Sequence, residues 1–159
     1  MFLRSSRHNR QLKITFSNAG EAERWQPQLL TKLLTETNQA MKILIAEDEP
    51  MVLKTLCLYL GRAGFNVVTA ADGKSAMDIF ELEKPDMVVT DLLMPSASGN
   101  ELISFIRNTM ESKVPIVVVS TVGLENSVIS ALKLGADDYI VKPLRLNEVV
   151  ARVNRFVRA

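Results

Sequence analysis

Cysteine, histidine and tryptophan each occur once in this chain of 159 residues. A single cysteine cannot close an internal disulfide, so a reducing compartment, the cytoplasm, is the simple expectation. Cys57 lies in an apolar run and reads as a buried structural thiol. The single histidine, His8, sits in a polar arm, and metal sites of the zinc type need several converging ligands. His8 is therefore read neither as a metal ligand nor as a phosphate donor. An excess of one charge is also missing. The formal net charge of +1 gives no push toward nucleic acid or membrane surfaces. No apolar run approaches the roughly 18 residues of a spanning helix. The basic start, residues 1–10, is not followed by an apolar segment of signal-peptide length. The chain reads as soluble, not secreted and not membrane-bound.

What is present suffices for one core, since hydrophobic residues make up 47% and charged residues 23%. Composition changes near residue 40. Residues 1–40 form a polar N-terminal extension with Arg4, Arg7, Arg10 and Lys13 at its front. The alternation Leu12, Ile14, Phe16 suggests a short strand, and Leu29, Leu30, Leu33 and Leu34 fall on one helical face after Pro27. The extension reads as a disordered arm, a docking helix, or codons upstream of a true start at Met41.

Residues 41–159 alternate two signals. Short β-branched runs predict strands over 42–46, 66–70, 87–91, 116–120 and 139–141. Amphipathic windows predict helices over 51–62, 74–83, 99–108, 127–134 and 146–157. Gly and Pro punctuate the joins, as at Gly64, Pro85, Pro115 and Gly135. Five βα units imply an α/β domain, a doubly wound five-stranded parallel sheet with five helices on its two faces.

In such folds functional groups gather beyond the carboxyl ends of the strands. The first strand ends in Glu47, Asp48 and Glu49, the third in Asp91, the fourth in Ser120 and Thr121, and the fifth in Lys142 and Pro143. Clustered carboxylates stay ionised together only beside a balancing cation. Oxygen ligands suit a hard ion, and Mg²⁺ takes one or two carboxylates while keeping several waters. Asp91 is then a candidate nucleophile toward a phosphoryl group. Lys142 supplies a point charge for a phosphoryl oxygen and Ser120 a hydroxyl donor. Each residue alone has a plainer reading. The acids are common near helix starts, Asp91 would cap a turn, Ser120 would be an ordinary strand-end hydroxyl, and Lys142 would be surface charge.

Four motifs in order favour the functional reading. They are Ile43–Glu49 (ILIAEDE), Thr90–Pro95 (TDLLMP), Gly99 four residues later, and Gly135–Pro143 (GADDYIVKP). Over residues 41–159 the chain resembles the receiver domains of bacterial two-component response regulators, the CheY-like family. The resemblance implies the flavodoxin-like strand order 2-1-3-4-5, for which a receiver is a standing example. It implies Asp91 as phosphoacceptor, with Glu47, Asp48, Asp91 and the Leu93 carbonyl holding Mg²⁺. It also implies Lys142 as the phosphate-pairing lysine, Ser120 as the switch hydroxyl, Tyr139 as the switch aromatic, and a cis bond between Lys142 and Pro143. On phosphorylation Ser120 would move toward the phosphoryl group and Tyr139 inward, remodelling the surface of residues 127–157. Asp137 and Asp138 read as groups for solvation and local pairing.

Several residues depart from the family's pattern. Thr121 stands where a smaller residue is usual. Leu93 and Val122 flank the water approach and cannot orient a water, which predicts slow self-hydrolysis. Asp138 and Arg152 match a charged pair that crosses dimer interfaces in related receivers. The rest of that pattern is mostly missing, since Val128 replaces a basic residue and Lys133 an acidic one. A monomer is expected, with a weak dimer through residues 127–157 as the other reading. No DNA-binding module is legible, so the expected output is a protein partner, unless the natural chain is longer.

The leading functional reading is a switch phosphorylated by a histidine kinase or a histidine phosphotransfer protein, which then binds a downstream effector. The alternative is a phosphorelay intermediate that passes the group from Asp91 to a histidine phosphotransfer protein. A phosphatase turning over small substrates is disfavoured, because no second acid adjoins Asp91 as general acid. The chain is therefore not read as an enzyme.

Overall fold

The computed structural model describes residues 2–4, 13–15, 40–123 and 125–157. The chain divides into two compact units, residues 1–40 and 41–159, at the boundary expected from composition. In the first unit, β1 (Phe2–Arg4) pairs antiparallel with β2 (Lys13–Thr15). β2 falls within the strand expected around Ile14. The helix expected after Pro27 lies outside the described residues.

The second unit runs β3 (Lys42–Ala46), α1 (Pro50–Arg62), β4 (Asn66–Ala70), α2 (Gly73–Glu83), β5 (Met87–Thr90), α3 (Gly99–Ser104), β6 (Ile116–Ser120), α4 (Glu125–Leu134), β7 (Asp138–Val141) and α5 (Leu146–Val157). The five strands are parallel, in the order β4-β3-β5-β6-β7. Counted from β3, this is 2-1-3-4-5, the doubly wound order expected.

Side chains on a strand alternate between the two faces. Leu44, Ala46, Val88, Ile116 and Val118 face one layer, built on Ala76 and Phe80 of α2, Leu102 and Ile103 of α3 and Ala131 of α4. Ile43, Ile45, Val89, Val117 and Val119 face the other, built on Leu56 and Leu60 of α1 and Val149 and Val153 of α5. Because both faces are covered, the central strands are near-continuous apolar runs, with polar residues only at their ends, as is usual in parallel sheets. Each fully buried Ile, Leu or Val contributes about 1.5–3 kcal/mol over leaving it exposed. Cys57 is half-buried, not fully buried as expected. It lies on the flank of α1, against the second layer.

The helix boundaries have local causes. α1 starts at Pro50, which has no N–H to lose at a first helical position. The Asp72 side chain caps α2 by accepting from the Ser75 N–H at 2.9 Å. Ser98 and Glu101 close a capping box on α3, the kind of cap that contributes about 1 kcal/mol. The helix expected over 99–108 is α-helical only to Ser104. Phe105–Thr109 is a π-helical turn, with Met110 N–H donating to the Phe105 carbonyl at 2.9 Å. A hydrophobic pattern reads the helix but not this change of hydrogen-bond step. β5 ends one residue short of Asp91, since its pairing with β6 stops at Thr90. β7 begins one residue early, at Asp138.

Candidate functional site

Every side chain expected at the carboxyl edge of the sheet is found there. Asp91 follows β5, and its N–H still donates to the Ala46 carbonyl of β3 at 2.9 Å. This bond fixes its backbone beside Glu47. Glu47 is fully buried, Asp91 is 4% exposed and Ser120 is buried. Asp48 is exposed. Carboxylate oxygens of Glu47, Asp48 and Asp91 lie within 4.8 Å of one another.

Lys142 bridges two of these acids. Its Nζ stands 2.6 Å from Asp91 Oδ2 and 2.8 Å from Glu47 Oε2. The other Asp91 oxygen, Oδ1, accepts from Ser120 Oγ at 2.6 Å and from the backbone N–H groups of Leu92 and Leu93 at 2.5 and 3.1 Å. Glu47 Oε1 accepts from the Glu49 N–H at 3.1 Å. Lys142 is held by its own N–H, which donates to the Ser120 carbonyl at 2.9 Å, and is followed by a cis bond to Pro143.

The electrostatics favour a further cation. Burial raises the Glu47 pKa, and hydrogen bonds from Lys142 and Glu49 offset this only in part. Burial works against the Lys142 ammonium, but hydrogen bonds and charge from Asp91 and Glu47 outweigh it and raise its pKa. Three carboxylates against one ammonium leave two negative charges. One divalent ion balances them. The donor set is all oxygen, which suits Mg²⁺ over softer metals. These residues fit the ion that the sequence implies.

Tyr139 is half-buried, and its ring packs against the layer containing Val118 and Ala131. Burial raises the pKa of its phenol. Its hydroxyl donates to the Val122 carbonyl. Leu93 is 58% exposed at the mouth of the site, Thr121 is exposed, and Val122 is half-buried. Beside Lys142 opens a groove of about 510 Å³, lined mostly by Met51, Val52, Thr55, Pro143, Leu144 and Leu146.

Residue patterns alone missed the Val122 contact and the steric reasons for two glycines, Gly99 and Gly73. Acceptance by the Val122 carbonyl is a backbone event with no residue signature. Gly99 is needed for close approach, because a Cβ there would lie 2.0 Å from the Asp91 carbonyl oxygen. Gly73 is similar, with a Cβ placed 2.0 Å from the Ala97 carbonyl oxygen. The Asp138–Arg152 pair, which matches one that crosses dimer interfaces in related receivers, is closed within the chain. Arg152 Nη1 lies 2.8 Å from Asp138 Oδ1, and its Nη2 lies 2.8 Å from Glu148 Oε1. Asp137 also pairs locally, with Arg107.

Comparison with known proteins agrees with this geometry. Residues 43–154 match the family model of the response regulator receiver domain. A probable transcriptional regulator ycf27 of Cyanophora paradoxa is 41% identical over 117 residues, 74% of this chain and 48% of that one. The alkaline phosphatase synthesis transcriptional regulatory protein PhoP of Bacillus subtilis is 38% identical over 117 residues, again 74% and 48%. The chain thus spans about half the length of the curated relatives it matches. Among solved structures, the BeF3-activated N-terminal receiver domain of Klebsiella pneumoniae RstA superposes with a TM-score of 0.70 at 31% identity, covering 74% of this chain and 99% of that one. A putative response regulator from Chloroflexus aurantiacus gives a TM-score of 0.71 at 30% identity, covering 76% and 99%. With the fold, the acidic edge and these likenesses in agreement, the chain belongs to the response regulator receiver domain family of two-component systems.

Proposed function

We propose that Asp91 accepts a phosphoryl group from the phosphohistidine of a histidine kinase or histidine phosphotransfer protein, and that the phosphorylated domain signals by binding a downstream protein. An Asp91 carboxylate oxygen forms the new bond to phosphorus while the P–N bond breaks and the imidazole leaves. Glu47, Asp48, Asp91 and the Leu93 carbonyl would hold Mg²⁺, which when bound supplies positive charge to the transferring oxygens. Lys142 pairs with one phosphoryl oxygen and the Ser120 hydroxyl donates to another. The observation that carries the reading is the placement of Lys142 Nζ and Ser120 Oγ, each 2.6 Å from a different Asp91 oxygen. Charge-stabilising groups thus already surround the reacting carboxylate.

The product remains on the chain, so the domain acts as a switch and not as an enzyme that turns over substrate. The apolar groove beside Lys142 favours a protein donor, since a small phosphate donor would need no such surface. Arg152 of α5 is paired with Asp138 and Glu148 within the chain, which favours a monomer. A cytoplasmic location agrees with the kinase partner. Among the described residues no helix is long and apolar enough to cross a membrane.

Intact mass after incubation with acetyl phosphate and Mg²⁺ tests this reading. One added phosphoryl group is expected, absent in Asp91→Asn and absent with a chelator. No adduct in the wild type under rapid quench would overturn it.

A further inference from the structure

The π-helical turn after α3 places one side chain in a position that the phosphoacceptor site does not use. Arg107 lies at the centre of that turn. Its Nε donates to the Gly135 carbonyl at 3.0 Å, just past the end of α4, and its Nη1 donates to the Ser112 carbonyl at 2.8 Å. Its Nη2 lies 2.9 Å from Asp137 Oδ2, which also accepts from the Ile116 N–H of β6 at 2.8 Å. The guanidinium therefore joins the end of α3, the end of α4 and the start of β6. Gly135 has φ +116°, and a Cβ there would fall 2.8 Å from Arg107 Cγ. Only glycine gives the arginine stem this approach without strain.

α4 needs such a fastening. Ala131 is its sole fully buried residue among those described, and Ile129 and Leu132 remain exposed. Its opposite end leads from the loop carrying Ser120, Val122 and the contact to Tyr139. A cation at the C-terminus of a helix is also favoured by the helix dipole.

We propose that Arg107 is a positioning residue that pins the C-terminal end of α4, so that α4 pivots about Gly135 when Asp91 is phosphorylated. This rests on the receiver reading above. Movement is then confined to the end of α4 nearest Ser120, and the surface offered to a partner is remodelled from one side only.

Hydrogen exchange by mass spectrometry on the full chain tests this, with and without acetyl phosphate and Mg²⁺. In the unphosphorylated protein, Arg107→Gln removes three charge-assisted hydrogen bonds and should speed exchange in residues 131–137 by at least about tenfold, the effect of losing one of them, and leave α1 and α2 unchanged. Arg107→Lys should recover part of that protection. Asp137→Asn keeps an acceptor for the Ile116 N–H and should loosen the same segment less. In the wild type, phosphorylation should alter exchange in residues 121–128 and spare 131–137; in Arg107→Gln the response should spread to both. Unchanged exchange at 131–137 in Arg107→Gln would overturn the proposal, as would uniform loosening of the domain. Equal deprotection of both segments in the phosphorylated wild type would overturn the pivot. Absence of a phosphoryl adduct in wild-type intact mass would overturn the phosphoacceptor reading, and the pivot with it; that result is separate from the exchange pattern.

Discussion

Lys142 and Asp91 face each other across 2.6 Å, with Glu47 on the other side of the same ammonium at 2.8 Å. The lysine thus serves two buried acids at once. Lys142→Ala removes the cation and leaves both uncompensated. Breaking a buried pair in this way costs about 3–5 kcal/mol. A urea unfolding series should show that loss, and added Mg²⁺ should restore part of it in the variant. A variant within about 0.5 kcal/mol of wild type would mean the bridge is dispensable.

Gly99 is predicted to be intolerant of even one methyl group. A Cβ would overlap the Asp91 carbonyl oxygen and press on Leu92 Cα at 2.8 Å. Both neighbours are backbone, so the loop after β5 must shift. Gly99→Ala should lose about 1–3 kcal/mol of stability and slow phosphoryl uptake at the displaced Asp91. Intact mass against time reads the second effect. Normal uptake in a folded Gly99→Ala protein would contradict the close-approach account.

We propose that Leu93 and Val122 flank the approach of water to phosphorylated Asp91. Neither side chain accepts a proton from an attacking water. Installing Glu at position 122 and Asn at 93 should shorten the phosphoryl lifetime at least about tenfold, below the usual gain from a positioned general base. Decay of the phosphorylated mass after removal of acetyl phosphate measures it. A lifetime equal to wild type would sink the slow-hydrolysis reading.

The caps of α2 and α3 carry an acid dependence. Hydrogen bonds from Ser75 lower the Asp72 pKa below its ordinary 3.8, and those from Ser98 lower Glu101 below its ordinary 4.5. A carboxyl with a depressed folded pKa adds stability that is complete above its ordinary value and lost as pH falls through the lowered one. The domain should therefore weaken below about pH 4. Asp72→Asn should flatten part of that fall in a series of urea midpoints. An unchanged slope would place the acid sensitivity elsewhere.

Local pattern determined much of this protein. Periodicity placed the five parallel strands and most helix ends, because burial on both sheet faces demands unbroken apolar runs and helices demand one apolar stripe. The acids, Ser120 and Lys142 were also legible, because strand ends in a doubly wound sheet converge on one edge. Tertiary structure alone decided the rest. Glu47 became the fully buried acid and Asp48 the exposed one, though they are neighbours in sequence, because the Glu47 N–H still donates to the Ala70 carbonyl of β4 while Asp48 lies in the bend that follows. Tyr139 found its partner in the Val122 backbone, and Arg107 found Gly135, 28 residues away. Asp138 and Arg152, 14 residues apart, met across β7 and α5. Such contacts depend on distances between elements that no residue pattern encodes. They appear only when packing sets where each helix lies.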